Sequence, residues 1–409
     1  MMRRCGCRAA SWVRAAVGVG LASFTTLLAG VSGVGAQETP ASAQEGIYAR
    51  PFIGAESSAS FGGYAEANSK WFSDEGVEDG LSFEMRRFNL FFFASLSDRL
   101  RFISELEFED GTEEITLETA LVDFRISSAL VLRAGVILPP IGFLNQNHDS
   151  PRWDWVERPL VTTAIIPSTL SEPGVGAYGR FDFSPTWALT WDAYLTNGLG
   201  AGVVGGSEEG RTDLAAGKSD EIFSEDNNGS PAVSGRLALI RPGRGEFGVS
   251  YYGGAYNDFR VEGEEVAPRR RVDLAALDLG LTLGRVELRG EAARAWIDIP
   301  PGMAELFGSR QWGGHLDIVV PFWTGELDGS EARLSAGLRV ERVDFNDGSF
   351  SSTGRSIGDE VTVLSPGIAF RPRPGSVLRI NYRYEWVEDF VGNDPAQVAG
   401  IQVGIATYF

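Results

Sequence analysis

Arg87, Arg101, Arg125 and Arg133 each stand in a segment of alternating apolar and polar residues, and Arg152 and Arg158 follow in a stretch that also holds Trp153, Trp155, Glu157 and Pro159. A guanidinium is a planar fork that takes phosphate or carboxylate through two parallel hydrogen bonds, a geometry lysine lacks. Lysine itself is nearly missing, at Lys70 and Lys218 alone. The chemistry open to these residues is recognition of small anions by fixed forks. The competing role is structural: the same arginines could pair with Glu105, Asp123 and Glu157, because charges in a narrow enclosed space are usually paired. Catalysis finds little support. His148 and His315 are the only histidines, which excludes a histidine-rich metal site. His315, with Asp317 two residues on, is the one hint of a hydrolase, and it would need a serine and an orienting partner beside it. Acid clusters such as Glu262, Glu264 and Glu265 lack the fixed spacing of a calcium loop and read as a solvated rim. No catalytic residue, metal or cofactor is expected.

Residues so far apart in sequence need a rigid frame to act together, and the frame is legible at the end of the chain. Ile401, Val403, Ile405, Thr407 and Phe409 alternate with Gln402, Gly404 and Ala406, so one face of a final strand needs an apolar partner and the other suits a wet interior. Sixteen such period-2 segments, bounded by turn residues, run over 61-72, 83-95, 99-109, 115-126, 130-138, 174-183, 187-197, 232-241, 245-256, 272-283, 285-297, 311-320, 332-344, 361-371, 376-386 and 398-409. Their number is even, as single-chain bacterial barrels require. Connections alternate in length. Tight turns such as Ser184-Pro185-Thr186 and Pro242-Gly243-Arg244 follow even strands, and longer polar loops, the largest at 139-173 and 198-231, follow most odd ones. The link from Pro321 to Glu331 breaks this pattern mildly. In 376-386, Leu378, Ile380, Tyr382, Tyr384 and Trp386 share one face and Arg379, Asn381, Arg383 and Glu385 the other. Repeated over many strands, this pattern predicts an all-β fold: a transmembrane antiparallel β-barrel with lipid outside and water within. Aromatics at strand ends, among them Phe181, Phe183, Trp296 and Phe409, would form its interfacial girdles.

The front end agrees. Arg3, Arg4, Arg8 and Arg14 precede an apolar run from Ala15 to Val34 and a small-residue site before Gln37, the layout of a secretory signal peptide over residues 1-36. Residues 37-59 read as a flexible lead-in and 60-409 as one barrel domain. Cys5 and Cys7 fall in the leader, so the mature chain has no disulfide or cysteine-based metal site. Removing residues 1-36 takes away four arginines and no acid, moving the formal charge from -19 to -23. So acidic an exported chain is a poor candidate for nucleic-acid binding.

The segment from Phe88 to Gly179 resembles the phosphate-selective porin O/P family. The resemblance is carried by Arg87-Phe88-Asn89-Leu90-Phe91-Phe92, Asp98-Arg99-Leu100-Arg101-Phe102, Val122-Asp123-Phe124-Arg125, Leu132-Arg133-Ala134-Gly135, Val156-Glu157-Arg158-Pro159-Leu160-Val161 and Glu172-Pro173-Gly174-Val175-Gly176. It implies a homotrimeric porin in the lipid bilayer of the cell outer membrane, among lipopolysaccharide. It further implies a third extracellular loop folded into the channel, where Arg87, Arg101, Arg125, Arg133, Arg152 and Arg158 guide anions. The residues agree on the loop, since Trp153, Trp155, Leu160, Val161, Ile165 and Ile166 are too apolar for a solvated surface. They are divided on selectivity. Inward-facing arginines are nearly balanced by acids such as Glu105, Asp123, Asp278, Glu291 and Glu341, which favours a general or cation-preferring porin over an anion trap. A barrel enzyme of the outer-membrane phospholipase kind is the third reading.

Overall fold

The computed structural model describes residues 42–53, 58–206, 210–218, 223–226, 228–261, 263–300 and 302–409. The expected leader, 1-36, lies outside them. Sixteen antiparallel strands, each bonded to its neighbours in sequence, close into one barrel. They are β1 (Ala59–Asp74), β2 (Val77–Ser95), β3 (Leu100–Glu109), β4 (Glu114–Ser127), β5 (Leu130–Ile137), β6 (Glu172–Ser184), β7 (Trp187–Thr196), β8 (Ala232–Arg241), β9 (Gly245–Ala255), β10 (Arg271–Leu283), β11 (Val286–Ile297), β12 (Arg310–Leu327), β13 (Ser330–Asp344), β14 (Glu360–Arg373), β15 (Ser376–Glu388) and β16 (Ala396–Tyr408). The ring closes where Tyr64 of β1 pairs with Tyr408 of β16, and Phe409 and Gly63 exchange backbone hydrogen bonds of 3.0 and 3.2 Å. Closure satisfies every edge, the condition for a sheet surrounded by lipid.

Burial along the strands is the reverse of a water-soluble sheet. On β15, Ile380 is 55% exposed and its neighbours Arg379 and Asn381 are 1% exposed. The same inversion marks β13, where Leu338 and Val340 face out and Arg339 and Glu341 face in, and β16, where Ile401, Val403 and Ile405 face out. Phe181, Phe183, Trp296 and Phe409 are exposed on the outer surface, as a girdle requires.

Two connections differ from expectation. β12 does not stop at Pro321: a bulge between Pro321 and Trp323 absorbs the missing N–H, and the strand continues to the turn Asp328-Gly329. Asp328 and Gly329 both have positive φ, 50° and 76°, as a two-residue hairpin turn of right-handed twist demands. Glu75 and Gly76, at 50° and 82°, do the same between β1 and β2, so the first loop is short as well. The segment 42–53, expected to be a flexible lead-in, is instead packed and bonded. Ala43, Ile47 and Arg50 are buried, Gln44 donates to Asp192 at 3.1 Å, and Ala43 N donates to Glu246 at 3.2 Å.

Candidate functional site

The long connection between β5 and β6, residues 138–171, is positioned by bonds to inner-face side chains all round the ring. Gly142 N donates to Ser250 of β9, Leu144 N to Glu291 of β11, Leu160 N to Glu341 of β13 and Val156 N to Asn381 of β15. Trp155 Nε1 donates to the Ser365 carbonyl of β14 at 3.0 Å, and Arg339 lies over the Trp155 ring at 4.6 Å. Arg371 grips Asp154 at 2.8 Å and the Pro151 carbonyl at 2.6 Å. Burial would raise the Asp154 carboxyl, but Arg371, with Arg289 and Arg333 behind it, outweighs burial and holds it at about 2. Glu157 is likewise held at about 2: Lys70, 2.6 Å away, overcomes the effect of burial.

The apolar part of the same segment makes a dry cluster. Ile141, Val161, Ile165 and Ile166 pack with Leu199 and Val203 of the β7–β8 connection, and with inner-face residues of β10 and β11 such as Leu274 and Ala295. The wide aqueous bore expected of sixteen strands is therefore partly filled. Two cavities flank Trp153. One is lined by Arg87, Arg158, Arg339 and Arg379 against Glu66 and Glu157. The other, larger, is lined by Glu246, Glu287 and Glu291 against Arg241 and Arg289, with His315.

The six arginines read from the sequence meet very different fates. Arg87 is buried against Glu66 at 3.1 Å and Glu109 at 2.7 Å. Arg133 makes a two-pronged pair with Asp123, 2.8 Å on each arm, and lies over the Tyr178 ring. Arg101 is half-buried over the Tyr48 ring and donates to Tyr178. Arg125 is exposed at the short-turn rim, bonded to the Asp98 carbonyl at 2.7 Å. Arg152 spends its donors on Tyr408, Asn147 and the carbonyls of Gly46 and Ala49, tying the loop to the 42–53 segment. Only Arg158, of the six, makes no hydrogen bond or ion pair among the described residues; its Nη2 is buried without a partner. Trp153 is buried and donates to the Asn147 carbonyl, and Pro159 is buried beside Arg158. The six thus form no continuous ladder; Arg87 and Arg158 share a cavity, and the others lie apart from it.

Sequence reasoning passed over Arg50 and Glu118. Arg50 joins Glu105 at 2.8 Å and Asp149 at 2.9 Å and stacks on Phe91, all buried. Burial acts against its charge, but Asp149 and Glu105 raise its affinity for the proton further still. The stretch around Arg50, Ile47-Tyr48-Ala49 before it and Pro51-Phe52-Ile53 after it, is apolar enough to signal packing but says nothing of which acids the arginine meets. Glu118 is turned inward by a bulge in β4, which strand parity cannot reveal.

No family model matches the chain. An uncharacterized protein of Aquifex aeolicus (strain VF5) is 26% identical over 360 residues, spanning 82% of this chain and 77% of that one. Among solved structures, the anion-selective porin from Comamonas acidovorans superposes with a TM-score of 0.55 at 13% identity, over 87% of this chain and all of that one. OprB of Pseudomonas putida gives 0.53 at 11% identity, over 86% of this chain and 94% of its own. The trimer form of OmpT, an outer membrane protein of Vibrio cholerae, gives 0.51 at 9% identity, over 86% of this chain and 100% of that one. At such identities the likeness is one of fold.

Proposed function

We propose that the protein is an outer-membrane porin: a passive channel for small hydrophilic solutes, with phosphate and other small anions preferred, working as a homotrimer in a lipopolysaccharide-bearing bilayer. The observation that carries the reading is the inverted alternation on a closed sheet, apolar outward and ionic inward. Segment 138–171 is the constriction. Arg158, with its unspent donors in the cavity it shares with Arg87, Arg339 and Arg379, is the group that attracts the anion. The resemblance of residues 88–179 to phosphate-selective porins and the fold shared with an anion-selective porin support the preference. A trimeric form is recorded for a barrel of the same fold, which supports the assembly.

A general or cation-preferring porin is the second reading, favoured by the acid excess of the larger cavity. The hydrolase alternative finds no serine among the residues lining the cavity that holds His315. Proteoliposomes test the proposal. Inorganic phosphate should enter faster than a neutral sugar of similar size, and Arg158→Gln should bring the two rates together. Equal entry with the unaltered protein would establish the general porin, and entry of neither would overturn the channel.

A further inference from the structure

We infer that Glu105, Glu118 and His148 form a binding site for one divalent transition ion, Zn²⁺ by preference, that clasps segment 138–171 to the barrel wall. The three residues come from β3, β4 and the segment, are each buried, and bring one ligand atom apiece within 4.8 Å of one another. His148 Nε2 stands 2.9 Å from Glu118 Oε2 and 3.4 Å from Glu105 Oε1. In a tetrahedral zinc site with bonds of about 2.0–2.2 Å, neighbouring ligand atoms are about 3.4 Å apart, so little adjustment is needed to admit the ion.

The backbone is bent to build this group. Glu105 pairs with Thr119 and Leu106 with Leu117, leaving Glu118 as the extra residue of a bulge, with Glu118 and Thr119 both turned to the buried side. Bulges of this kind re-aim a side chain at the expense of ladder regularity. The imidazole is oriented too. Its Nδ1 faces the Asn145 carbonyl at 3.1 Å, and a carbonyl only accepts, so Nδ1 carries hydrogen and Nε2 is directed at the two carboxylates. Three electron-rich atoms then converge, and a cation must lie between them. A proton on Nε2 bridges well to one oxygen, whereas a metal ion serves all three.

Fixed side-chain cations do not fill the role. Arg50 is divided between Glu105 and Asp149, and among the described residues no arginine or lysine lies within 4 Å of the Glu118 carboxylate. Outer donors hold the carboxylates in place: Asn89 donates to Glu105 and Thr169 to Glu118. An imidazole with two carboxylates suits zinc or a neighbouring first-row ion, while magnesium and calcium prefer oxygen alone. Because one ligand belongs to the loop and two to the wall, binding should stabilise the docked loop whatever solute the barrel passes.

The folded full chain in detergent, stripped with EDTA and dialysed, is titrated with Zn²⁺ alone, with bound zinc counted by mass spectrometry after gel filtration. One zinc per chain and a raised thermal midpoint are expected. Glu118→Gln and His148→Gln should each weaken binding about tenfold or more, while Asp389→Asn, on an exposed loop, binds as the unaltered protein does. Glu118→Gln leaves the His148 ring and its Asn145 contact in place, so the test survives if His148→Gln misfolds. Absence of saturable uptake, or equal binding by the unaltered protein and Glu118→Gln, would overturn the proposal and leave a bridging proton as the cation.

Discussion

Arg152 and Arg158 stand on one loop and do opposite work. Arg152 is consumed by Tyr408 and by carbonyls of the 42–53 segment, whereas Arg158 is left with donors to offer. Arg158→Gln should therefore lower the anion-to-cation permeability ratio and shift the thermal midpoint less than the loss of a paired arginine, because it breaks no hydrogen bond or ion pair among the described residues. Arg371 is the contrary case. Replacing it by methionine strands the buried Asp154 charge, which costs about 3–5 kcal/mol in comparable broken pairs. The loop should loosen, and trypsin should cut after Arg152; the bond after Arg158 is protected by Pro159. Continued resistance to trypsin would show that the pair does not hold the loop. The same carboxyls set a pH window. Asp154 and Glu157, both at about 2, lie below the ordinary carboxylate range, so their contribution is complete above about pH 5 and lost as pH falls through about 2. Docking of the loop, followed by Trp153 and Trp155 fluorescence, should hold from pH 7 to 5 and fail only as pH falls toward 2, a profile that undocking near pH 6 would contradict.

The loop and the 42–53 segment form one interlocked unit, joined by Arg50 to Asp149 and by Arg152 to Gly46 and Ala49. Arg50→Ala leaves Glu105 and Asp149 facing each other without their shared cation, so the segment should leave its place and the single-channel conductance should rise. Unchanged conductance would mean that the segment lies clear of the solute path. The strands themselves were legible in the sequence because their signal is local: the period of two in 376-386 or 398-409 states which face meets which medium. The β12–β13 hairpin was obscured because Pro321 reads as a strand end, and its tolerance depends on a bulge that only the register reveals. Asp123 was named from the sequence as a partner and does take Arg133, but Arg50, Glu118 and the other partners of the six arginines were illegible for a related reason. Each depends on which distant residue lies opposite, and alternation carries no information about that. Arg125 illustrates the limit: parity places it on the inner side, yet its depth in the barrel puts it at the rim.

The whole molecule presents an outer surface made for hydrocarbon. Ile380 lies mid-strand on that surface, paired with Ile368 and Val403, and an arginine there should cost about 2–4 kcal/mol of folding free energy in lipid bilayers. Val391→Arg, on the exposed β15–β16 loop, should cost nothing measurable. Equal costs for the two would remove the lipid-facing assignment. The proposed function adds to this surface an interior that conducts past the loops filling part of it. The most direct test is insertion of the purified protein into a planar bilayer under a potassium chloride gradient. Discrete ohmic steps with a reversal potential displaced toward that of chloride are expected. A barrel that inserts and passes no current would contradict the porin, and a reversal potential toward that of potassium would contradict the anion preference.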